Sequence, residues 1–331
     1  MLVMVRALLG DKALREGLKN YFAAHKYSNA TGADLWKALG DASGLNIGKI
    51  MNSWLEQPGY PVVTAKINDD GDLVLSQKQF FIGDGKDVDR QWQIPLNSNY
   101  DEVPQIMAEQ ELNLGNYQAL RDKNDQPFRL NLGNNSHFIV KYDDTLLNDI
   151  LDHADELDPI AQRQLLQDLR LLAQGQQVSY ASLIPLLKQF KDSPSAIVNA
   201  ELYQIANSLK MFAKPDSPGE QELRQFFDFL SNDDQLTRPY ILSASLFARN
   251  NDSITQAHQI FTENQTKLES LSADIRGLVL KNEVQNFGNA ELFDKLIKAY
   301  QQTADASFKQ DLRMAIPNTT DPALIAKVVS Y

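Results

Sequence analysis

A chain of 331 residues with 43% hydrophobic residues is long enough for two or three packed domains. Its 43 Asp and Glu outnumber 32 Lys and Arg, giving a formal net charge of -11 with no basic run, which argues against a nucleic acid or an anionic membrane surface as partner. Cysteine is absent, so disulfides, thiolate metal sites and a cysteine nucleophile are excluded, a composition that fits the cytoplasm.

In chain order, the part up to about Gly59 reads as helical. Its opening, Met1 to Arg6, lacks the basic start, length and small-residue cleavage site of a signal peptide. Leu2, Val3, Val5, Leu8 and Leu9 leave it little polar surface, as expected of a buried helix cut in the middle. Asp11 is placed to cap a helix on which Leu14, Leu18, Tyr21 and Phe22 repeat at helical spacing. Thr31 with Asp34 is a capping-box variant with a shorter acid, and Leu35, Trp36 and Leu39 supply that helix with an apolar face. A third helix carries Ile47, Ile50, Met51 and Trp54, and Pro58-Gly59 stops it.

From Pro61 the period becomes strand-like. Asp70-Gly71 between Val62, Val63, Ile67 and Leu73, Val74, Leu75 is a hairpin signal. A turn at Gly83-Asp84-Gly85 separates Phe80-Phe81-Ile82 from Trp92-Gln93-Ile94-Pro95-Leu96. Further strands are expected at 128–132 and 137–142. Short strands with such turns predict a small β-sandwich over 61–143. From 144 to 331 the chain reads as helices. One covers 146–153, and Asp158-Pro159 opens a long one ending near Gly175. The others fall near 181–190, 195–212, 220–230, 240–249, 255–263, 273–287, 290–301, 307–316 and 322–329. Pro185 should kink or shorten its helix. The short connectors suggest antiparallel pairs stacked as an irregular solenoid of HEAT or armadillo type, without a strict repeat.

The residues offer little chemistry. The four histidines, His25, His137, His153 and His258, never recur at the four-residue spacing that puts two imidazoles on one helix face around zinc. Asn68-Asp69-Asp70-Gly71-Asp72 has its Gly too early for a calcium loop and no Glu at the twelfth position, so it reads as a hairpin turn. Gly83-Asp84-Gly85-Lys86 lacks the spacing of a phosphate loop, and no G-x-S-x-G elbow occurs. Phe226, Phe227, Phe229 and Leu230 could line a peptide channel, but packing between helices explains them more simply. Asp143-Asp144 and Asp233-Asp234 sit at helix starts, where they suit the helix dipole. No residue is nominated as catalytic, cofactor-binding or metal-ligating.

Nearly the whole chain nevertheless resembles a known family. Leu8-Leu9-Gly10-Asp11, Gly17-Leu18, Tyr21-Phe22, Asn29-Ala30-Thr31 and Asp34-Leu35-Trp36 are similar to the last helices of the catalytic domain of aminopeptidase N-type zinc peptidases. Trp54, Gln57 and Gly59-Tyr60-Pro61-Val62 resemble that domain's ending, and Trp92-Gln93-Ile94-Pro95-Leu96 a sandwich strand. Leu130-Asn131 and Val140-Lys141-Tyr142-Asp143 resemble the junction into the C-terminal helical domain. Arg163, Leu166 and Asp168 resemble that domain's first long helix. Arg276-Gly277, Gly288, Tyr300, Asp305, Lys309 and Asp321-Pro322 follow its loose later pattern. One departure is Ile139, where the family's Gly-Tyr-Tyr-Arg-Val-x-Tyr junction has Arg.

The family's G-x-M-E-N and H-E-x-x-H motifs and its third zinc-ligand Glu are missing, so none of its functional residues maps onto a position here. The resemblance implies a C-terminal fragment of a cytoplasmic, zinc-dependent aminopeptidase: the helical end of a catalytic domain over 1–60, the sandwich over 61–143 and an incomplete helical domain over 144–331. Zinc and peptide substrates belong to the parent enzyme. The partner implied for this chain is the missing catalytic domain, and the chain alone is expected to be inactive. The rival expectation is a stand-alone, non-catalytic α-solenoid scaffold that binds a peptide or protein on a concave surface.

Overall fold

Three helices open the chain, α1 (Leu2–Ala24), α2 (Gly32–Ser43) and α3 (Ile47–Leu55). The computed structural model describes residues 1–86, 88–214, 217–230 and 239–329, and it is mainly helical with a small mixed sheet. Two compact units divide the chain, Met1–Leu186 and Leu187–Tyr331.

In the first unit α1 is broken at Gly10, whose φ of 73° and ψ of 162° lie outside the helical basin and are open to glycine because it has no Cβ. A second helical stretch therefore starts at Asp11, as its sequence suggests, but the carboxylate takes up the guanidinium of Arg6 (Nε to Oδ1, 2.7 Å). Thr31 and Asp34 form the expected capping box on α2: Asp34 N–H donates to Thr31 Oγ1 (3.4 Å) and Thr31 N–H to Asp34 Oδ2 (2.8 Å). α3 ends before Pro58, and the chain turns at Gly59 with φ 88°.

The strands are β1 (Pro61–Ile67), β2 (Asp72–Gln79), β3 (Ile94–Pro95), β4 (Ile106–Met107), β5 (Glu111–Asn116) and β6 (Ile139–Tyr142), with α4 (Tyr117–Asn124) between the last two. Four of them form a sheet in the order β5-β2-β1-β6, while β3 and β4 pair separately. The hairpin at Asp70-Gly71 joins β1 to β2 with Ile67 opposite Leu73. β6 adds in parallel to the other edge of β1, with Val62 beside Ile139.

Two expected strands fall short. Segment 80–82 leaves the ladder after Gln79, and 128–132 forms no strand. There Asn131 (φ 56°) and Gly133 (φ 72°) adopt left-handed turns around a 3-10 helix. The backbone bonds instead to the 96–97 loop, Asn131 N–H to the Leu96 carbonyl and Leu132 N–H to the Asn97 carbonyl, both at 2.9 Å. Asn and Gly tolerate these conformations, which override the apolar run before them. β5 and α4 are absent from the sequence reading, because Glu-Leu-Asn-Leu-Gly-Asn is a short edge strand with only two apolar residues and no buried position.

The core of this unit gathers Met4, Leu39, Ile50 and Trp54 from the helices with Val63, Leu73, Leu75, Trp92, Tyr100 and Phe128. Two more helices complete it, α5 (Asp144–Asp152) and α6 (Pro159–Gln174). Asp143 does more than suit a dipole: Oδ1 accepts Leu146 N–H (2.8 Å) as the α5 cap, and Oδ2 accepts Ile67 N–H (2.6 Å) at the end of β1. Asp158 caps α6 through Ile160 and Ala161 N–H, with Pro159 at the first position as expected. The single helix expected at 181–190 begins as a 3-10 turn, Tyr180–Leu183, and continues as α7 (Ile184–Phe190), which places Pro185 in a first turn where its missing N–H costs nothing.

The second unit consists of α8 (Ala196–Lys210), α9 (Pro218–Leu230), α10 (Pro239–Phe247), α11 (Asn251–Glu263), α12 (Ala273–Phe287), α13 (Ala290–Gln302), α14 (Ala306–Ala315) and α15 (Pro322–Val329). Val279, Leu280, Phe293, Leu296, Phe308 and Leu312 form one of its cores. The buried Arg276 on α12 is satisfied on three sides: Nε donates to Asp311 Oδ2 (2.6 Å), and the two terminal nitrogens to the Glu269 carbonyl (2.8 Å) and Ser307 Oγ (2.9 Å). The side chains of Phe226, Phe227, Phe229 and Leu230, and all of Asp233-Asp234, lie outside the described residues.

Candidate functional site

The segment that resembles the end of the catalytic domain, Trp54 to Pro61, is a structural joint. Trp54 Nε1 donates to the Gln93 carbonyl (2.9 Å), and Gln57 Nε2 to the carbonyls of Ser53 (2.7 Å) and Gln91 (2.8 Å). Gln93 N–H returns a bond to Ser53 Oγ (2.9 Å). The end of α3 is thus tied to the segment 91–93 that leads into β3 by side chains whose spacing the sequence displays. Gly59 sits at φ 88°, where a Cβ is strained, and a side chain there would also meet that of Gln79, so the turn favours glycine. Beyond it the Tyr60 ring lies 5.6 Å from Phe80 and 4.9 Å from His137.

The junction around β6 is equally structural. Ile139, at the family's Arg position, is buried with Val62, Phe80 and Leu172. Asp168 Oδ2 on α6 accepts Val140 N–H (3.1 Å), and the Tyr142 hydroxyl accepts Leu130 N–H (2.9 Å). Burial pushes the Tyr142 phenol above its ordinary range.

The histidines do not converge. His25 lies 5.3 Å from the Tyr21 ring, and His137 is packed against Trp54 and Tyr60, where burial holds it below the usual imidazole range. His153 Nδ1 lies 2.8 Å from the Asp149 carbonyl, and His258 Nδ1 2.8 Å from Glu283 Oε2. Among the described residues no group of His, Cys, Asp or Glu is arranged to hold a metal ion. Zinc, implied by the resemblance, therefore has no ligand set among them. No helix among the described residues is long and apolar enough to cross a membrane.

The second unit holds a recess of about 330 Å³ that sequence reading missed. Among the described residues four cations line it, Lys210 at the end of α8, Arg224 on α9, Arg249 just after α10 and Lys281 on α12, with no carboxylate. Arg224 is oriented by Glu220 (2.8 Å) and donates to the Phe247 carbonyl. Lys210 Nζ and the Arg224 guanidinium both lie over the Phe247 ring, 4.3 and 4.5 Å from its centre. Burial, with the charges of Lys281 and Arg224, pulls the Lys210 ammonium down to about 8. These positions are tens of residues apart, so no basic run betrays them.

Comparison with known proteins places these features. Residues 128–331 match the ERAP1-like C-terminal domain, and residues 1–54 match the peptidase family M1 domain. Aminopeptidase N of Lactobacillus helveticus is 59% identical over 345 residues, covering 99% of this chain and 41% of the relative. Aminopeptidase N of Lactobacillus delbrueckii subsp. lactis is 55% identical over 347 residues, covering 100% of this chain and 41% of the relative. A puromycin-sensitive aminopeptidase of Caenorhabditis elegans is 25% identical over 351 residues, covering 98% and 37%. The chain spans about two fifths of the length of the relatives it matches. The stand-alone scaffold expected as a rival finds no support in these matches. A family model that covers more than half of the chain shows that it belongs to the proteins with an ERAP1-like C-terminal domain, and its opening helices match part of the peptidase family M1 domain.

Proposed function

We propose that this chain is the C-terminal part of a zinc-dependent aminopeptidase that removes N-terminal residues from peptides in the cytoplasm. In that enzyme zinc would supply an activated water for peptide hydrolysis, and the residues that would hold it belong to the part of the catalytic domain that this chain does not match. The chain supplies three modules: the helical end of the catalytic domain over 1–60, a β-sandwich spacer over 61–143, and a solenoid-like helical cover over 144–331 that limits access to small peptides. The observation that carries the reading is the 59% identity to an aminopeptidase N along 99% of the chain. The joint of Trp54, Gln57 and Ser53 supports the spacer role, because it fixes a catalytic-domain helix against the segment 91–93 that leads into β3.

The test uses the chain alone and a chimera. The chain alone is expected to bind no stoichiometric zinc and to hydrolyse no aminoacyl anilide. Joined behind the unmatched portion of the Lactobacillus helveticus relative, it is expected to restore hydrolysis and zinc binding. Turnover with stoichiometric zinc by the chain alone, or an inactive but folded chimera, overturns the proposal.

A further inference from the structure

We propose that a small recess of the first unit, lined by residues of α5, α6 and the segment 129–133, is a binding site for one free amino acid in its zwitterionic form. The recess measures about 210 Å³ and carries groups of both signs beside an apolar wall. Arg129 lines it, and its guanidinium forms no hydrogen bond or ion pair with the described residues. Asp158 lines it too, with Oδ1 spent on the α6 cap and Oδ2 unused. Asp168 adds a second carboxylate, which already accepts Val140 N–H. The Tyr142 hydroxyl accepts Leu130 N–H and keeps its own proton to donate. It feels the charges of both Arg129 and Asp168, so these groups share one neighbourhood. Leu130, Ile150 and Leu165 supply the buried apolar wall.

Gln164 is the residue that points to a ligand. Its side chain lines the recess although the residue is only 7% exposed. Nε2 makes a long bond to the Leu130 carbonyl (3.5 Å), and Oε1 is left without a partner among the described residues. A buried acceptor is rarely left unmet, because it gave up its bonds to water on entering the interior. Charge then chooses the ligand. A bare anion meets Arg129 but also two carboxylates, and a bare cation meets the carboxylates but also an unpaired guanidinium. A zwitterion satisfies both signs: its carboxylate takes the Arg129 fork, and its ammonium donates to Gln164 Oε1 and to the Asp158 carboxylate. Size agrees. A protein cavity of about 150 Å³ holds benzene, with six heavy atoms, so about 210 Å³ holds roughly eight, the count of valine. An aminopeptidase releases a free amino acid at each turnover, so the recess is suited to sense product; that link, unlike the binding itself, rests on the function proposed above.

The experiment is calorimetric titration of the full 331-residue chain with L-valine, with isovalerate, which lacks the ammonium, and with isobutylamine, which lacks the carboxylate. Saturable 1:1 binding of valine is expected, at least tenfold tighter than either analogue. Arg129→Met and Gln164→Met keep side-chain bulk, and each is expected to weaken valine binding at least tenfold while circular dichroism stays unchanged. Arg129 is partly exposed and unpaired, so its variant decides the matter if Gln164→Met does not fold. No saturable heat in the millimolar range, which leaves the recess to water, either analogue equal to valine, or wild-type affinity in a folded variant overturns the proposal. Binding is read as heat and not as turnover, so this site can fail while the chimera is active, and the reverse.

Discussion

Gln77 offers the sharpest test of how the first unit is held. Its side chain is fully buried on β2 and makes three bonds to two other segments. Nε2 donates to the carbonyls of Trp92 (3.1 Å) and Glu109 (2.8 Å), and Oε1 accepts Trp92 N–H (2.8 Å). Gln77→Leu keeps most of the volume and removes all three bonds. At about 1 kcal/mol net each the loss is about 3 kcal/mol, and it rises to about 5 kcal/mol if the freed backbone groups stay dry. All three tryptophans, Trp36, Trp54 and Trp92, lie in Met1–Leu186, so tryptophan emission during urea unfolding reports on this unit. With a slope of about 2 kcal/mol per molar urea, the midpoint should fall by about 1.5 to 2.5 M. Gln77→Glu should cost as much near neutral pH, where a carboxylate faces two carbonyls, and regain part of it below about pH 5, where a protonated carboxyl again donates. A midpoint shift under about 0.5 M for Gln77→Leu with unchanged slope refutes the reasoning.

Three other expectations follow from the packing. Asp311→Ala leaves the Arg276 guanidinium buried with two hydrogen bonds and no counter-charge, so unfolding followed by circular dichroism should show a loss of about 3 kcal/mol, partly recovered by adding Arg276→Met; a loss below about 1 kcal/mol contradicts the burial argument. Lys210 is depressed to about 8 when folded against about 10.5 unfolded, so the unfolded state binds the extra proton between those values and stability should rise by about 3 kcal/mol from pH 8 to 10.5. Lys210→Met should flatten that rise, and an identical pH profile in the variant counts against it. Gly10→Ala places a side chain at φ 73° and should cost about 1 to 2 kcal/mol, so a thermal midpoint equal to that of the parent chain shows that the kink is not needed.

What the sequence displayed was local chemistry. Thr31 with Asp34, Asp158 with Pro159 and Asp70-Gly71 each set a backbone conformation through neighbouring atoms, and each is found where its pattern points. What it concealed depends on distant partners. β5 is held by pairing with β2 and not by its own propensity, and the strand-like run at 128–132 lost to the left-handed turns at Asn131 and Gly133. The joint was visible because Trp54, Gln57 and Gly59 sit within a few residues of one another. The basic recess was not, because Lys210, Arg224, Arg249 and Lys281 meet only after five helices have packed.

The parallel pairing of β6 with β1 also has a temporal meaning. The outer edge of β1 ends at Ile67, but its partner begins at Ile139, and the Asp143 carboxylate that bonds to Ile67 N–H comes later still. At roughly 5–20 residues per second on a ribosome, the hairpin that is complete at Gln79 waits about 3 to 12 s for Ile139 with that edge of β1 open. A nascent chain halted between these points presents a bare sheet edge to its neighbours, the geometry through which unfinished β proteins join one another. Early release or a stalled ribosome is therefore more hazardous in the stretch before Ile139 than after Asp143, when the edge is sealed.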